Sequence, residues 1–482
     1  MSIQPTTKIS PSAVWRLGVY LLLGASLWLL PHPDGLTEQA WHLLAVFIAT
    51  IAGFILRPLP MAPLVLLGLL ILSATKTLGE SPKAALQIAF SGFGNTTVWL
   101  VVAAMLIAGA VIRTGLGRRI ALLMVVAIGR TMLGLGYALC GTELILAPFI
   151  PSNTARGGGV MAPVVNSLAR VLESRPEENP RHGGDFLVLC GAHANLITSA
   201  MFLTAMAANP LVAEAAAEIF GIEFGWIEWL KGSLLPGLVG LVLLPLLLLQ
   251  VARPQRVDAQ AARQSARNQL RQLGAWTKHE IILVVVFVLL LTLWSTKAAH
   301  ELPTTWVALL GVVVLLLTGV EKWRDMAANQ GAWDTLVWLG GLLTMATALK
   351  EQGVIAWLAE FAQSQVQTPS AALAAIALAL IYFYSMYAFS MLTGHITAMV
   401  GAFFLVAAGA GTAPLLIVPL LAYFSSLCGC LTNYSTGPLI IYFGLGYVSS
   451  PRWFGIGWIV SLFHLAVWLG IGLPYWKWLG WW

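Results

Sequence analysis

Pro151-Ser152-Asn153-Thr154-Ala155-Arg156 cuts an oily stretch between residues 131 and 170, and Thr393-Gly394-His395-Ile396-Thr397 cuts another between 370 and 411. Hydroxyls, amides and cations are destabilised in an apolar layer, so polar groups at membrane depth face a protein-lined cavity and mark a substrate pathway. Each stretch, interrupted near its middle, reads as a re-entrant hairpin with a polar tip. Two such interruptions in corresponding positions of two halves point to a binding site shared by an internal repeat.

The chain around these tips has 482 residues, 59% hydrophobic and only 10% charged. A soluble domain carries about 25% charged residues, so the expected class is an all-α polytopic membrane protein. No gap between apolar segments is wide enough for a soluble domain. The first run, Val14 to Leu30, lacks a clear small-residue cleavage site and reads as a retained helix. Cys140, Cys190, Cys428 and Cys430 all fall in apolar segments, and Cys428-Gly429-Cys430 has the wrong spacing for zinc. They read as small packing residues. No catalytic set, metal site or cofactor is expected, and no nucleic-acid partner. Paired carboxylates in a cleft, a nucleophile elbow and a His-Glu metal motif are all missing from the sequence, which argues against an enzyme.

At about 20 apolar residues per crossing, spans are expected near 14–31, 39–56, 60–76, 97–113, 186–208, 231–252, 279–296, 304–320, 335–350, 413–447 (broken) and 455–476. That makes about eleven helices plus the two hairpins. Lys8, Arg16, Arg57, Arg113, Arg118, Arg119, Arg170 through Arg181, the loop from Arg253 to Lys278, Lys322, Arg324 and Arg452 fall on one side. Asp34, Glu38, Glu214, Glu218, Glu223 and Glu228 fall on the other. Lys/Arg bias marks the cytoplasmic face, so the N-terminus is expected inside, in a multi-pass protein of the plasma (inner) membrane. Arg263, Arg267 and Arg271 recur every four residues in the linker and read as one face of a short, solvated cytoplasmic helix. Trp476, Trp478, Trp481 and Trp482 read as interfacial anchors.

The halves also echo each other. Asn95-Thr96-Thr97-Val98-Trp99-Leu100 matches Asp334-Thr335-Leu336-Val337-Trp338-Leu339, each opening an apolar span that ends in a polar Gly-containing turn. A shorter amphipathic stretch, a polar tip and a broken span follow in both. An odd number of crossings separates the copies, which inverts them. The expected organisation is 1–90 scaffold helices, 91–252 first repeat (hairpin 131–170, broken helix 186–208) and 253–278 basic linker. It continues with 279–330 scaffold helices and 331–482 second repeat (hairpin 370–411, broken helix 413–447). This is the plan of a secondary transporter with a midplane site, and it favours a carrier over a channel.

Pro151 followed by Ser152, Asn153 and Thr154 has the composition of a helix start, where free N–H groups and the helix dipole favour an anion. Thr393, Gly394 and His395 repeat this from the opposite hairpin. Two such tips suit a molecule with a carboxylate at each end. Arg156, about one turn beyond Asn153, has a fork that suits a carboxylate; its alternative is a salt bridge to Glu143 across the hairpin. His395 is read as a cation beside a bound anion, or else as a packing histidine. Thr204 and Thr436, in the two broken spans, complete the expected substrate-binding set, and Asn153, His395, Ser435 and Arg156 are the candidates for sodium binding or charge compensation.

At these residues the chain resembles the divalent anion:sodium symporter family, in its 2-oxoglutarate/malate translocator and citrate/dicarboxylate exchanger branch. The most specific stretches are Ser91 through Leu100, Ala147-Pro148-Phe149-Ile150-Pro151-Ser152-Asn153-Thr154-Ala155-Arg156, and Leu431-Thr432-Asn433-Tyr434-Ser435-Thr436-Gly437-Pro438, continued by Tyr442 through Val448. The resemblance implies an eleven-helix protomer with two re-entrant hairpins, a homodimer, and an elevator motion of a transport domain against a scaffold. It implies small dicarboxylates such as 2-oxoglutarate, malate and succinate as substrates, with membrane lipid as the surroundings. In sodium-coupled members each tip carries Ser-Asn-Thr; here Ser152, Asn153 and Thr154 match the first, while Gly394, His395 and Ile396 stand in the second. The expectation is therefore anion exchange, with Arg156 and His395 as fixed cations that replace sodium; the alternative is sodium-coupled symport.

Overall fold

The computed structural model describes residues 11–255, 258–365 and 370–482, and every regular element among them is helical. Lys8, counted in the orientation, lies outside the described residues. Nine helices among them are long and apolar enough to cross a membrane, including Ala371–Ala388 and Leu392–Gly409. Met61–Ala74 and Thr304–Leu317, expected as spans, are 14 residues each. That is about 21 Å of helix, short of the ~30 Å hydrocarbon core unless extended by their flanks.

The chain divides into two compact units, Met1–Trp99 with Trp333–Gln367 and Leu100–Ala332 with Thr368–Trp482. In the first unit, small residues let backbones approach. A Cβ at Gly92 would collide with the carbonyl of Gly340, and the Gly92 N–H donates to Thr344 Oγ1 at 3.0 Å. Gln352 Nε2 donates to Thr77 O at 2.9 Å, closing the polar turn after Glu351 onto the helix end at Ala74. The two Val-Trp-Leu copies are not equivalent at their helix starts. Asn95 Oδ1 accepts from Thr97 N–H at 2.7 Å and caps its helix, whereas Asp334 lies one turn inside the helix Gln330–Glu351.

The second unit holds both hairpins and both broken helices. The first hairpin runs down Met132–Leu146 and returns through Thr154–Met161 and Ala162–Val171. Thr131 starts it by accepting from Gly134 N–H at 3.0 Å, and Pro148, which has no N–H for the helical ladder, follows closely on its helix end. The second runs Ala371–Tyr384, a tight turn Ser385–Ala388, then Leu392–Gly409. Ser370 caps it in the same way, accepting from Leu373 N–H.

The first broken helix is Gly184–Met201, a break from Phe202 to Ala208, and Asn209–Phe220. The second is Pro414–Leu427, a break from Cys428 to Thr436, and Gly437–Gly444. Residues 209–220 correct the expected bounds 186–208 of the first broken helix, whose far arm lies beyond them and carries Glu214 and Glu218. They sit on an Ala-rich helix whose charges broke the hydrophobic run without breaking the helix. The four cysteines are buried and free, as packing residues should be.

Trp476 is a second correction. It is fully buried and donates from Nε1 to Gly232 O at 2.8 Å, beside Tyr423 with ring centroids 5.7 Å apart. Only Trp478 of the expected anchors is strongly exposed. An aromatic run at the chain end reads alike whether it fills a core or lines an interface.

The helix Ser450–Val467 is pressed against the second break, where a Cβ at Gly457 would collide with the Cys430 carbonyl, while a Cβ at Gly455 would meet nothing within 4 Å. Gly457→Ala is therefore expected to destabilise by about 1–3 kcal/mol, read as a lower melting temperature in detergent, with Gly455→Ala as the neutral control. Equal melting temperatures for both variants would refute the close approach.

Candidate functional site

The first tip is a helix start built from its own residues. Ser152 Oγ accepts from Ala155 N–H at 3.1 Å and Ser152 O from Arg156 N–H at 2.9 Å. The N–H groups of Asn153 and Thr154 have no acceptor among the described residues. The turn that follows, Thr154–Met161, is a π-helix, a wider winding often found at functional sites. In the second tip, the N–H groups of Thr393 and Gly394 likewise have no acceptor among the described residues. Ser152, Thr154, Thr393 and Gly394 are all partly exposed, and a Cβ at Gly394 would meet nothing within 4 Å.

The tips meet on one break. Asn153 Nδ2 donates to Thr436 Oγ1 at 3.0 Å, and Leu392 N–H donates to Ser435 O at 2.7 Å. Ser435 and Thr436 are consecutive, with Cα atoms about 3.8 Å apart, so the two polar islands converge on two adjacent residues. Glycines make this fit: Thr154 Oγ1 occupies the place a Cβ at Gly437 would take, and a Cβ at Gly157 would lie 2.8 Å from Pro438 Cβ. Each hairpin also packs on the far arm of the other half's broken helix. Thr154–Met161 lies against Gly437–Gly444, and Leu392–Gly409 against Asn209–Phe220, where Phe220 and Phe404 meet edge-on at 5.4 Å.

Arg156 and Glu143 form the ion pair that was the alternative reading, and the substrate-binding reading of Arg156 is corrected. Both side chains are fully buried, and Arg156 Nε donates to Glu143 Oε2 at 2.6 Å. Arg156 Nη1 donates to Ile150 O (2.8 Å) and Ala205 O (3.0 Å), and Nη2 to Ser199 Oγ (2.9 Å). Every edge of the guanidinium is used by protein, leaving no fork for a carboxylate. Asn195 completes the knot: its Nδ2 donates to both Glu143 oxygens at 3.1–3.2 Å and to Asn153 O at 3.3 Å.

His395 is corrected as well. Its ring is fully buried against Tyr382 and Phe389, with centroids 4.4 and 5.0 Å away. Nε2 lies 3.0 Å from Tyr382 O and 2.8 Å from Ser385 Oγ, while Nδ1 has no partner among the described residues. A carbonyl only accepts, so Nε2 carries the proton and the ring is neutral; a second proton would bury an Nδ1–H with nothing to receive it. The fixed-cation role assigned to both residues fails on geometry.

Two further candidates are structural. Thr204 is buried, donating to Pro148 O at 2.9 Å and accepting from Trp226 Nε1 at 3.2 Å. Ser435 Oγ donates to Gly429 O at 2.6 Å and holds the break in shape. The side chains left to face a ligand are Ser152, Thr154 and Thr393, with Thr436 tied to Asn153. The candidate set missed Thr432, whose buried Oγ1 has no partner among the described residues, and Asn433, which is half-buried. Both lie in the Leu431–Pro438 stretch that carried the resemblance. Asn195 was missed too; an amide in the oily run Ala194–Ala200 was its signal.

Residues 11–482 match the family described as Sodium:sulfate symporter transmembrane region. The chain is 42% identical over 480 residues to "Putative malate transporter YflS" of Bacillus subtilis (strain 168), covering 99% of this chain and 98% of that protein. It is 40% identical to the chloroplastic dicarboxylate transporter 1 of Spinacia oleracea (96% and 81% covered) and 34% identical to the citrate/succinate antiporter of Escherichia coli (strain K12) (97% and 99% covered). Among solved structures, the Alcanivorax borkumensis YdaH transporter matches in fold, with TM-score 0.54 and 14% identity over 97% of each chain. The chain belongs to the divalent anion:sodium symporter family, in its dicarboxylate-transporter branch.

Proposed function

We propose that this protein is a secondary carrier that exchanges small dicarboxylates across the plasma (inner) membrane, its two hairpins moving with their substrate in an elevator motion. The observation that carries this reading is the convergence of both tips on Ser435 and Thr436. Four unclaimed N–H groups, on Asn153, Thr154, Thr393 and Gly394, stand at two helix starts where the dipole favours negative charge. Ser152, Thr154 and Thr393 add hydroxyl donors. A C4 or C5 dicarboxylate would place one carboxylate at each tip; relatives named for malate and dicarboxylates support that class, and one named for citrate/succinate widens it to a larger tricarboxylate.

The buried pair Glu143–Arg156 is neutral overall and His395 is uncharged, so the empty site carries no fixed charge. Exchange therefore rests on hydrogen bonding and charge balance. An empty site crossing a dehydrated path would leave several donors unmet, at about 1–3 kcal/mol each, so the loaded carrier crosses more readily. One dianion for one dianion moves no net charge, and sodium is not required to balance it. The second tip, with Gly394-His395-Ile396 and the His395 ring turned inward, offers no side-chain oxygen like that of Asn153 for a cation. An N-terminus inside, as the Lys/Arg distribution suggests, and a homodimer complete the proposal.

In proteoliposomes, labelled malate or 2-oxoglutarate should enter vesicles preloaded with dicarboxylate much faster than empty ones, equally in sodium and potassium buffers. Equal uptake into empty vesicles under a sodium gradient would overturn exchange in favour of symport. Glu143→Gln strands a buried guanidinium and should destabilise the protein by about 3–5 kcal/mol, visible as a drop in melting temperature. The double variant Glu143→Gln with Arg156→Gln should recover part of that loss. His395→Asn should keep exchange while lowering the melting temperature, since only ring packing is removed. Lost exchange at an unchanged melting temperature would restore the charged reading of His395.

A further inference from the structure

Tyr442, on the far arm of the second broken helix, is fully buried, and its hydroxyl has no hydrogen-bond partner among the described residues. Pro438 and Tyr442 stand one turn apart on Gly437–Gly444, which packs against Gly184–Met201. There they lie alongside Asn195 and Gly191, also one turn apart, in the reverse order. A Cβ at Gly157 would touch both Pro438 Cβ (2.8 Å) and Asn195 Nδ2 (2.9 Å), and a Cβ at Gly191 would lie 2.6 Å from Tyr442 Oη. Gly191 thus leaves the room that the phenol takes, and the hydroxyl ends about one turn from Asn195 on the same face of that helix.

Asn195 carries a second unclaimed atom. The Glu143 carboxylate only accepts, so the amide turns Nδ2 toward it, at 3.2 Å from Oε1 and 3.1 Å from Oε2. That leaves the buried Asn195 Oδ1 without a partner among the described residues. Glu143 Oε1 also has capacity to spare. Arg156 Nε and Thr198 Oγ1 both donate to Oε2, while Oε1 receives only the Asn195 amide among the described residues. The Tyr442 hydroxyl is near enough to this carboxylate to feel its charge.

One donor and two acceptors therefore remain, on Tyr442, Asn195 and Glu143. A water molecule matches that set, since it accepts one hydrogen bond and donates two, and buried waters typically make about three. Side chains one helical turn apart have Cβ atoms about 5–6 Å apart, a gap that two hydrogen bonds of about 2.8 Å span. A metal cation would also take three oxygens, but Arg156 Nε, 2.6 Å from the same carboxylate, already balances its charge and would repel a second cation. An anion would be repelled by the carboxylate itself.

We propose that one water molecule is bound between Tyr442 Oη, Asn195 Oδ1 and Glu143 Oε1, accepting from the phenol and donating to the amide and the carboxylate. It ties the far arm of the second broken helix to the ion pair behind the first tip. The two halves of the chain are then joined there through solvent, as well as directly through Asn153 and Thr436.

X-ray radiolysis turns bound water into hydroxyl radicals, which oxidise a buried side chain only where water lies beside it. Full-length protein in detergent is irradiated and its tyrosines are read by mass spectrometry. Tyr423 and Tyr382 are the dry controls: both are fully buried, with Tyr423 Oη donating to Trp229 O at 2.9 Å and Tyr382 Oη 2.7 Å from Ser425 Oγ. Tyr442 should be oxidised several-fold faster than either, and a rate equal to theirs overturns the water. Gly191→Ala, which crowds the hydroxyl, should bring Tyr442 down to the control rate. An undiminished rate in a variant that melts normally would mean that the phenol meets bulk solvent, and the site falls. Where that variant melts early, a high-resolution map of the unaltered protein decides, and no solvent density among the three oxygens overturns the proposal. Melting temperatures in sodium and potassium buffers should agree; a rise in sodium that Tyr442→Phe abolishes would put a metal ion in place of the water.

Discussion

The bond between Glu143 and Arg156 is the constraint from which the first tip is built. Each ion alone would lose several kcal/mol on leaving water, and neither touches solvent. They persist because the whole neighbourhood is organised to satisfy them: carbonyls of Ile150 and Ala205, hydroxyls of Thr198 and Ser199, and the amide of Asn195. In doing so the pair ties three stretches together, the descending arm, the tip and the first break. Asn195, held by Glu143, in turn holds the carbonyl of Asn153. The Asn153 amide is thereby aimed across at Thr436, in the other half of the chain. A charge pair with no edge left for a ligand sets the position of the first tip.

The second tip reaches the same place by different means. Where Asn153 sends its side chain across to the second break, His395 turns into its own hairpin, onto Tyr382 and Ser385. The cross-link is made instead by backbone, from Leu392 N–H to Ser435 O. One tip is clamped by electrostatics and the other by aromatic packing. Two repeats can share a topology while the forces that hold their equivalent points differ, because the fold needs only the backbone positions and those can be fixed in several ways.

Much of this was legible in the amino-acid sequence. The hydrophobic fraction decided the class, and the two interruptions located the turns of both hairpins, since polar residues are too costly in an oily run unless they line a cavity or a break. Contacts between side chains were less readable. Arg156 showed a cation beside an anion-favouring helix start, and one turn of helix gave it two partners, a substrate or Glu143. Which one wins depends on where residue 143 lies in space, not on its spacing. His395 failed for the same reason: histidine changes character with burial, and burial depends on Tyr382 and Phe389 arriving at the same point. Asn209–Phe220 was lost because Glu214 and Glu218 look like loop residues to any rule built on hydropathy, although Ala-rich helices tolerate them.

A neutral site also changes what the exchange proposed above must do with charge. A cationic site would bind anions strongly and would carry a penalty whenever it crossed empty. Helix starts and hydroxyls give a shallower well, made of partial charges and of donors that water can satisfy when the site is open on either side. The penalty then arises only in transit, when water is excluded and the four amide donors are left without acceptors. In the exchange proposed above, coupling of inward to outward flux need not be written into a single charged residue; it would follow from two hairpin tips whose hydrogen-bond donors are complete only around a dicarboxylate.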